Sequence, residues 1–312
     1  MSDNIASNNV LDEVVSVFLA YRQSRYLDKT LTSAMNQTVF PSKLIVMDDA
    51  SPDDSDQVFQ RILKNAPVGL NIDYQRNDKN IGLIAQLNKL VNAYDDKLIV
   101  LQAGDDESYP NRLEETYRAW IQNGKPSLVL ANYDGINEAG DVVEPFADKK
   151  PQKPYTLERL INRRAMVYGC CAAIHSDLFN FYGTIPTNVV NEDRVNAFRA
   201  YFRHGIHYIH KPLLRYRLEG GISSFSKTTR DERLQKLKTE ARRESADIEC
   251  HLKDLQKLPL QRGVKRRLFN RLRYVVWVSS LGNRSLYLDF LIGMFRGGRP
   301  DRLVKTLKRL RD

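Results

Sequence analysis

The feature that most constrains the fold is an alternation of short apolar runs with segments of helical periodicity. Between the runs, apolar residues recur at helical spacing, as Leu27, Leu31 and Met35 do after the first one. Strands that alternate with helices predict an α/β fold: a mainly parallel sheet flanked by helices on both faces. The five runs that predict strands are residues 14–19, 43–47, 71–75, 98–101 and 127–131.

Charge divides the chain into two predicted regions. Residues 227–312 carry 23 Lys and Arg against 10 Asp and Glu, whereas residues 1–226 are close to neutral. We therefore predict a globular domain over residues 1–226 and a basic helical C-terminal region over residues 227–312. A basic region of this kind indicates an anionic partner, namely a membrane surface, a nucleic acid or an acidic protein.

Two helical patterns lie in the C-terminal region. The first, from residue 228, contains a partial heptad of apolar residues, which fits either a helix packed on its own domain or a coiled coil. The second, over residues 261–280, is a basic amphipathic helix, which fits either core packing or contact with an anionic membrane. Residues 274–295 are apolar, but Asn283, Arg284 and Asp289 interrupt them, so no membrane span is predicted.

The cysteines and the N-terminus indicate a cytoplasmic protein. Cys170, Cys171 and Cys250 form neither a disulfide framework nor a zinc-site spacing. The first ten residues are polar and lack the regions of a signal peptide. Because the C-terminal region is basic, a peripheral location on the inner face of the plasma membrane is a further hypothesis.

An acidic pair follows the fourth predicted strand. Asp105 and Asp106 come directly after Gly104, and Pro110 opens the next helix. Ligands of open α/β sheets bind beyond the carboxyl ends of the strands. Two adjacent carboxylates repel each other, and a divalent cation such as Mg²⁺ or Mn²⁺ would balance them. The alternative is a solvated acidic turn that caps the helix.

Seven motifs follow one another in the first part of the chain, at residues 14–22, 31–38, 44–51, 80–88, 103–113, 192–193 and 214–217. In this order and at this spacing they resemble family 2 glycosyltransferases of the GT-A fold. The resemblance runs from about residue 14 to residue 224 and implies a nucleotide-sugar half over residues 12–134 and an acceptor half over residues 135–226. One departure is Ala103, which replaces the first aspartate of the family's "DxDD" pattern, and another is Glu219, where a histidine often occurs.

The resemblance implies a donor site for a UDP- or dTDP-sugar. Asp106 is the expected ligand of Mn²⁺ or Mg²⁺, and Asp105 either shares the metal or contacts the ribose. Asp49 is the expected acceptor for the imide N–H of uracil or thymine. The other residues implied at the nucleotide are Leu19, Tyr21, Asn80 and Arg217.

The resemblance also implies inverting transfer to an acceptor hydroxyl. Asp193 is the expected general base, with Glu192 as the alternative. The expected acceptor is a saccharide or a lipid-linked saccharide of surface-polysaccharide synthesis, and a homodimer is compatible with the family. Nucleic acid is not an expected partner, because no recognised binding motif is present. The rival interpretation is a non-catalytic protein of this fold that binds nucleic acid or membrane through its basic region.

Overall fold

The computed structural model describes residues 10–148, 152–218 and 230–281. The chain forms two compact units, and neither is a continuous segment. The first unit comprises residues 1–154, 166–184 and 199–224; the second comprises residues 155–165, 185–198 and 225–312. The predicted boundary between residues 226 and 227 therefore differs from the observed division, because two internal segments join the C-terminal helices.

Nine strands, all within the first unit, form one sheet over the described residues. Their order is β3-β2-β1-β4-β8-β6-β9-β5, and β7 pairs with the edge of β6. The strands are β1 (Val10–Ala20), β2 (Phe40–Asp48), β3 (Ile72–Arg76), β4 (Leu98–Ala103), β5 (Glu107–Ser108), β6 (Leu128–Ile136), β7 (Val142–Glu144), β8 (Ala172–His175) and β9 (Ile206–Arg217).

The sheet is mixed rather than mainly parallel. Strands β1, β2, β3 and β4 pair in parallel, as do β6 and β9. The short strand β8 lies between β4 and β6 and is antiparallel to both, and the pairs β5–β9 and β6–β7 are also antiparallel. The parallel part formed by β1 to β4 is the part that the strand–helix alternation predicted, because a crossover helix connects each of these strands to the next.

Helices cover the sheet and supply its apolar cores. Phe18 of β1 packs with Leu31 and Phe59 in one core, and Val100 of β4 packs with Trp120 in another. The helices of the first unit are α1 (Leu27–Met35), α2 (Ser55–Leu63), α3 (Leu83–Asn88), α4 (Arg112–Gln122) and α6 (Ser176–Tyr182) over the described residues. The second unit contains α5 (Leu157–Ile161), the first part of α7 (Glu192–Tyr201), α8 (Arg230–Asp254) and α9 (Arg262–Ser279).

The second unit is helical. Helix α8 packs along α9, and Arg271 of α9 forms a bidentate ion pair with Glu244 of α8. Ala241, Ile248 and Leu255 of the partial heptad are buried, so this part of the heptad packs within the chain. None of the helices in the described residues is long and apolar enough to cross a membrane. The apolar stretch 274–295 falls mostly outside those residues.

Candidate active site

Three strand ends bring the predicted donor-site residues together. In the sheet, Leu19 of β1 pairs with Met47 of β2 on one side and with Ala103 of β4 on the other. The pairing continues past the strands, because the backbone N–H of Asp49 donates to Ala20 (3.0 Å) and that of Gly104 donates to Leu19 (2.8 Å). The segments that follow β1, β2 and β4 therefore share one edge of the sheet, which is the expected position for a ligand site.

Gly104 sits where no side chain fits. A Cβ placed there would lie 2.4 Å from Oε1 of Gln23 and 2.7 Å from Cβ of Ala20. The carbonyl of Gly104 also accepts a hydrogen bond of 2.8 Å from the hydroxyl of Thr30. The turn that presents the acidic pair is thus held tightly against β1 and α1.

We expect Gly104→Ala to destabilise the protein by about 1–3 kcal/mol, because the new methyl group must displace packed neighbours. Gly263→Ala is the matched control. A Cβ at Gly263 meets nothing within 4 Å and lies in a helix, so that variant should be neutral or slightly stabilised. Denaturant unfolding of both variants measures the difference. Equal stabilities would contradict the tight packing at Gly104.

Asp106 is a buried carboxylate with a free oxygen. Only 1% of the residue is exposed, and its Oδ1 accepts the backbone N–H of Arg217 at 3.0 Å. Its Oδ2 has no hydrogen-bond partner in the described residues. Burial, followed by the charge of Asp105, raises the pKa of Asp106 well above its usual range. A buried anionic oxygen without a donor fits a position next to a bound cation.

Asp105 is less buried than Asp106 and adjoins it in the turn. Burial raises the pKa of its carboxyl, whereas the charge of Arg217 and a hydrogen bond from Gln23 act in the opposite direction. No cluster of three metal-ligating side chains occurs among the described residues. The turn thus contains two adjacent carboxylates, and Ala103 stands at the position of the family's first aspartate.

Arg217 positions the acidic turn from inside the protein. It is 3% exposed, and its Nε donates to the carbonyl of Asp105 at 3.0 Å. Its other nitrogens donate to the carbonyls of Asn137 and Glu138 and approach Glu107 at 3.4 Å. All three guanidinium nitrogens thus contact the chain itself. This differs from the expected contact with the diphosphate and gives Arg217 a structural role in this arrangement.

Asp49 organises the loop after β3. It is 1% exposed, and its carboxylate accepts three hydrogen bonds of 2.8 Å, from the side chain of Asn77 and the backbone N–H groups of Ile81 and Gly82. Asn80 lies in this loop and is exposed. Both oxygens of Asp49 are therefore occupied by donors of this chain, which differs from the expected contact with the imide N–H of the base, and Asp49 instead holds the loop that carries Asn80.

Leu19 and Tyr21 flank the same edge. Leu19 is partly buried at the end of β1, and Tyr21 is 40% exposed immediately after it. An exposed ring beside a strand end can stack on a planar ligand. Both residues thus lie at the edge where β1, β2 and β4 end, and their contact with a base stays a prediction.

The structure adds two residues that the sequence did not indicate. Arg112 is 3% exposed and donates to the carbonyls of Leu101 and Cys170, so it places a buried positive charge near Asp106. Gln23 contacts Asp105, as described above. The available signal for Arg112 was a lone arginine at the start of an apolar helical face, which also fits a solvated helix terminus.

Glu192 and Asp193 lie in the second unit, at the start of α7. Burial and the charge of Asp193 raise the pKa of Glu192 to about 8. Burial also raises the pKa of Asp193, although the charges of Arg194 and Arg163 act against that shift. The Oδ1 of Asp193 accepts the backbone N–H of Arg194 at 2.7 Å. A carboxylate with a raised pKa is a stronger base than an exposed one.

The raised pKa of Glu192 makes the stability of this unit pH-dependent. Its contribution is fully present below the usual glutamate pKa of 4.5 and is lost as the pH rises to about 8. Glu192→Gln mimics the protonated form, so its melting temperature should match the wild type near pH 4.5 and exceed it by several degrees near pH 8.5. Calorimetry across this range measures the gap. A gap that does not grow with pH would contradict burial of Glu192.

Comparisons with known proteins agree with this geometry. The profile described as "Glycosyl transferase family 2" matches residues 16–183. An uncharacterised glycosyltransferase of Methanocaldococcus jannaschii is 28% identical over 143 residues, which cover 45% of this chain and 47% of the relative. An uncharacterised glycosyltransferase of Rickettsia prowazekii is 23% identical over 218 residues, with coverage of 67% and 65%. The chain thus spans between about half and two thirds of the length of these relatives.

Solved structures share the fold at low sequence identity. Residues 1–349 of S. aureus TarS, in complex with UDP-GlcNAc, match with a TM-score of 0.58 and 14% identity over 95% of this chain and 90% of TarS 1–349. The mannosyltransferase PcManGT of Pyrobaculum calidifontis, in complex with GDP-Man and Mn²⁺, matches with a TM-score of 0.56 and 13% identity over 98% of this chain and 83% of PcManGT. The family and fold predicted from the sequence are confirmed: this chain belongs to glycosyl transferase family 2 and has its GT-A fold.

Proposed function

We propose that this protein is an inverting glycosyltransferase that moves a sugar from a UDP- or dTDP-sugar to a hydroxyl of a saccharide or lipid-linked saccharide. The observation that supports it most is the edge where β1, β2 and β4 end, with the free oxygen of Asp106 beside Asp105. The neighbours with bound UDP-GlcNAc and with GDP-Man and Mn²⁺ support a nucleotide-sugar donor and a divalent cation.

Each group of residues has one task in this proposal. Asp106 and Asp105 hold a divalent cation, which neutralises the leaving diphosphate when bound. The loop organised by Asp49 and the ring of Tyr21 receive the base. The Asp193 carboxylate takes the proton of the acceptor hydroxyl while the oxygen of that hydroxyl forms a bond to the anomeric carbon of the donor sugar. The bond from that carbon to the diphosphate breaks at the same time, and the diphosphate leaves with the electron pair. Attack from the opposite face inverts the anomeric configuration.

The test is release of free nucleoside diphosphate from a panel of UDP-, dTDP- and GDP-sugars with Mn²⁺ or Mg²⁺. We expect turnover with a pyrimidine donor and none after addition of EDTA. Turnover that is confined to GDP-sugars would overturn the assignment of the base. No turnover and no metal-dependent nucleotide binding with any donor would favour the rival, non-catalytic interpretation.

We also propose that α9 contacts an anionic membrane surface. Arg262, Arg266, Phe269, Arg273 and Val276 follow one another at alternating spacings of four and three and lie on one exposed face. Phe269 is 52% exposed and Val276 is 44% exposed. Exposed apolar side chains between arginines fit a headgroup layer that carries negative charge.

Cosedimentation with phosphatidylcholine vesicles, with and without phosphatidylglycerol, tests this contact. We expect binding to the anionic vesicles and at least about tenfold weaker binding after the double change Arg266→Glu and Arg273→Glu, since each basic residue contributes about 1 kcal/mol. Arg267→Glu is the matched control, because Arg267 is exposed on the same helix but off this face. An equal loss with Arg267→Glu would indicate a general effect of charge and contradict the proposal.

A further inference from the structure

A second concave site lies wholly within the second unit. It is a cleft with a volume of about 610 Å³, and its walls come from the segment after α5, the start of α7, and helices α8 and α9. This volume is in the range of small-molecule sites. Its prominent side chains are arginines, and we call it the arginine cleft after Arg163, Arg164, Arg194, Arg243 and Arg271.

The charges of the arginine cleft do not balance. Glu240 and Glu244 are the acidic residues in its lining. Glu244 is already engaged by Arg271 at 2.9 Å and by Arg163 at 3.6 Å. Among the described residues, no hydrogen bond or ion pair engages the guanidinium groups of Arg164, Arg194 and Arg243. The cleft thus presents three unengaged cations.

Arg194 is the most buried of the three unengaged arginines. It is partly buried, and burial, followed by the charge of Arg163, lowers its pKa, whereas the charges of Asp193, Asp247 and Glu244 act in the opposite direction. Two guanidinium groups that repel each other in a partly desolvated cleft are unfavourable without an anionic partner. Neighbouring carboxylates act on Arg194 through their charge only: among the described residues none accepts a hydrogen bond from its guanidinium group or lies within ion-pair distance of it. Asp247 pairs with Asn191 at 2.9 Å and approaches Arg163 at 3.9 Å.

The chemistry of these groups favours a phosphate. Guanidinium forks match the oxygens of phosphate and donate charge-assisted hydrogen bonds to it. Arginines on three separate segments line one volume, and a tetrahedral anion presents oxygens in several directions toward such donors. The volume exceeds that of a phosphate alone and leaves room for a sugar attached to it.

We propose that the arginine cleft binds the phosphate group of a phosphate-bearing saccharide or lipid-linked saccharide, and that this compound is the acceptor. The identification as acceptor rests on the proposed function, because Asp193 adjoins Arg194 in the chain and lies in the same unit. The binding of phosphate rests on the cleft alone.

Calorimetric titration of the full chain, without donor, tests the binding of phosphate. The probes are inorganic phosphate, glucose 1-phosphate, glucuronate and glucose at constant ionic strength. We expect both phosphates to bind and glucose not to bind. If glucuronate binds as tightly as glucose 1-phosphate, the cleft does not prefer a phosphate to a carboxylate, and the proposal is overturned. The absence of phosphate binding would also overturn it.

Two neighbouring arginines provide the matched variants. Arg243 lines the cleft and the adjacent Arg242 does not, although both are exposed on α8. Arg243→Gln and Arg164→Gln should each weaken binding of glucose 1-phosphate about tenfold, the effect of one charge-assisted hydrogen bond. Arg242→Gln should change it less than about twofold, since it removes the same charge outside the cleft. Equal losses at Arg242 and Arg243 would contradict the site.

A transfer assay separates the acceptor from the proposed function. With phosphate-bearing acceptors, Arg243→Gln should raise KM about tenfold and leave kcat nearly unchanged. Transfer to a neutral saccharide with a KM that Arg243→Gln leaves unaltered would overturn the identification as acceptor. Phosphate that binds through the cleft while no acceptor is glycosylated would refute the proposed function and the acceptor identification, but leave the phosphate site intact.

Discussion

Asp106→Asn is expected to abolish sugar transfer and at the same time raise the stability of the metal-free protein. The activity should fall by at least about 10³-fold, because the carboxylate that holds the cation is lost and the cation contributes several kcal/mol to the transition state. At a pH above the raised pKa of Asp106 the stability should rise by about 1–3 kcal/mol, because a buried anionic oxygen without a donor is replaced by a neutral amide.

The two effects are measured separately. Release of nucleoside diphosphate reports the activity, and thermal unfolding with and without Mn²⁺ reports stability. Mn²⁺ should raise the melting temperature of the wild type and not that of Asp106→Asn. A variant that is less stable without metal, or that keeps a Mn²⁺-dependent rise, would contradict the role of Asp106.

Asp134→Asn is the matched control for this substitution. Asp134 is also buried, but its two oxygens accept hydrogen bonds from the hydroxyl of Tyr109 and the backbone N–H of Phe146. The amide cannot accept at both positions, so Asp134→Asn should lower the stability. Opposite signs for two buried Asp→Asn changes would show that the free oxygen of Asp106 is retained for binding and not for folding.

The first half of the fold was predictable because its signals are local. Strands β1 to β4 and their helices follow from hydrophobic periodicity within short windows, and the parallel pairing follows from the crossover helices. The antiparallel insertion of β8 between β4 and β6 was not predictable in this way. It depends on the pairing of Ile174 with Ile99 and Leu128. These residues are remote in sequence, so hydrophobic periodicity within a short window does not indicate their pairing.

The same distinction applies to the site. The acidic turn was predictable because Gly104, Asp105 and Asp106 are contiguous and follow a strand. The contacts of Arg217 with this turn were not predictable, since the hydrogen bond from its backbone N–H to Asp106 spans 111 positions. The second unit depends likewise on long-range polar contacts, such as Asn191 with Asp247 and Arg163 with Glu244. Such contacts follow from the tertiary arrangement and not from propensity.

Asp193→Asn is expected to reduce kcat by about 10²–10⁴-fold, the usual contribution of a general base. The amide has nearly the same shape but cannot take the proton of the acceptor. Donor binding should be unchanged, because the carboxylates assigned to the donor lie in the first unit. Steady-state kinetics with a saccharide acceptor and calorimetric binding of the nucleoside diphosphate measure the two properties.

Glu192→Gln separates the two adjacent carboxylates. If Asp193 is the base, Glu192→Gln should keep activity within about tenfold of the wild type. Burial raises the pKa of Asp193, and a base acts only when ionised, so the wild-type rate should fall on acidification at a higher pH than the usual aspartate pKa predicts. Activity in Asp193→Asn together with its loss in Glu192→Gln would transfer the role of base to Glu192.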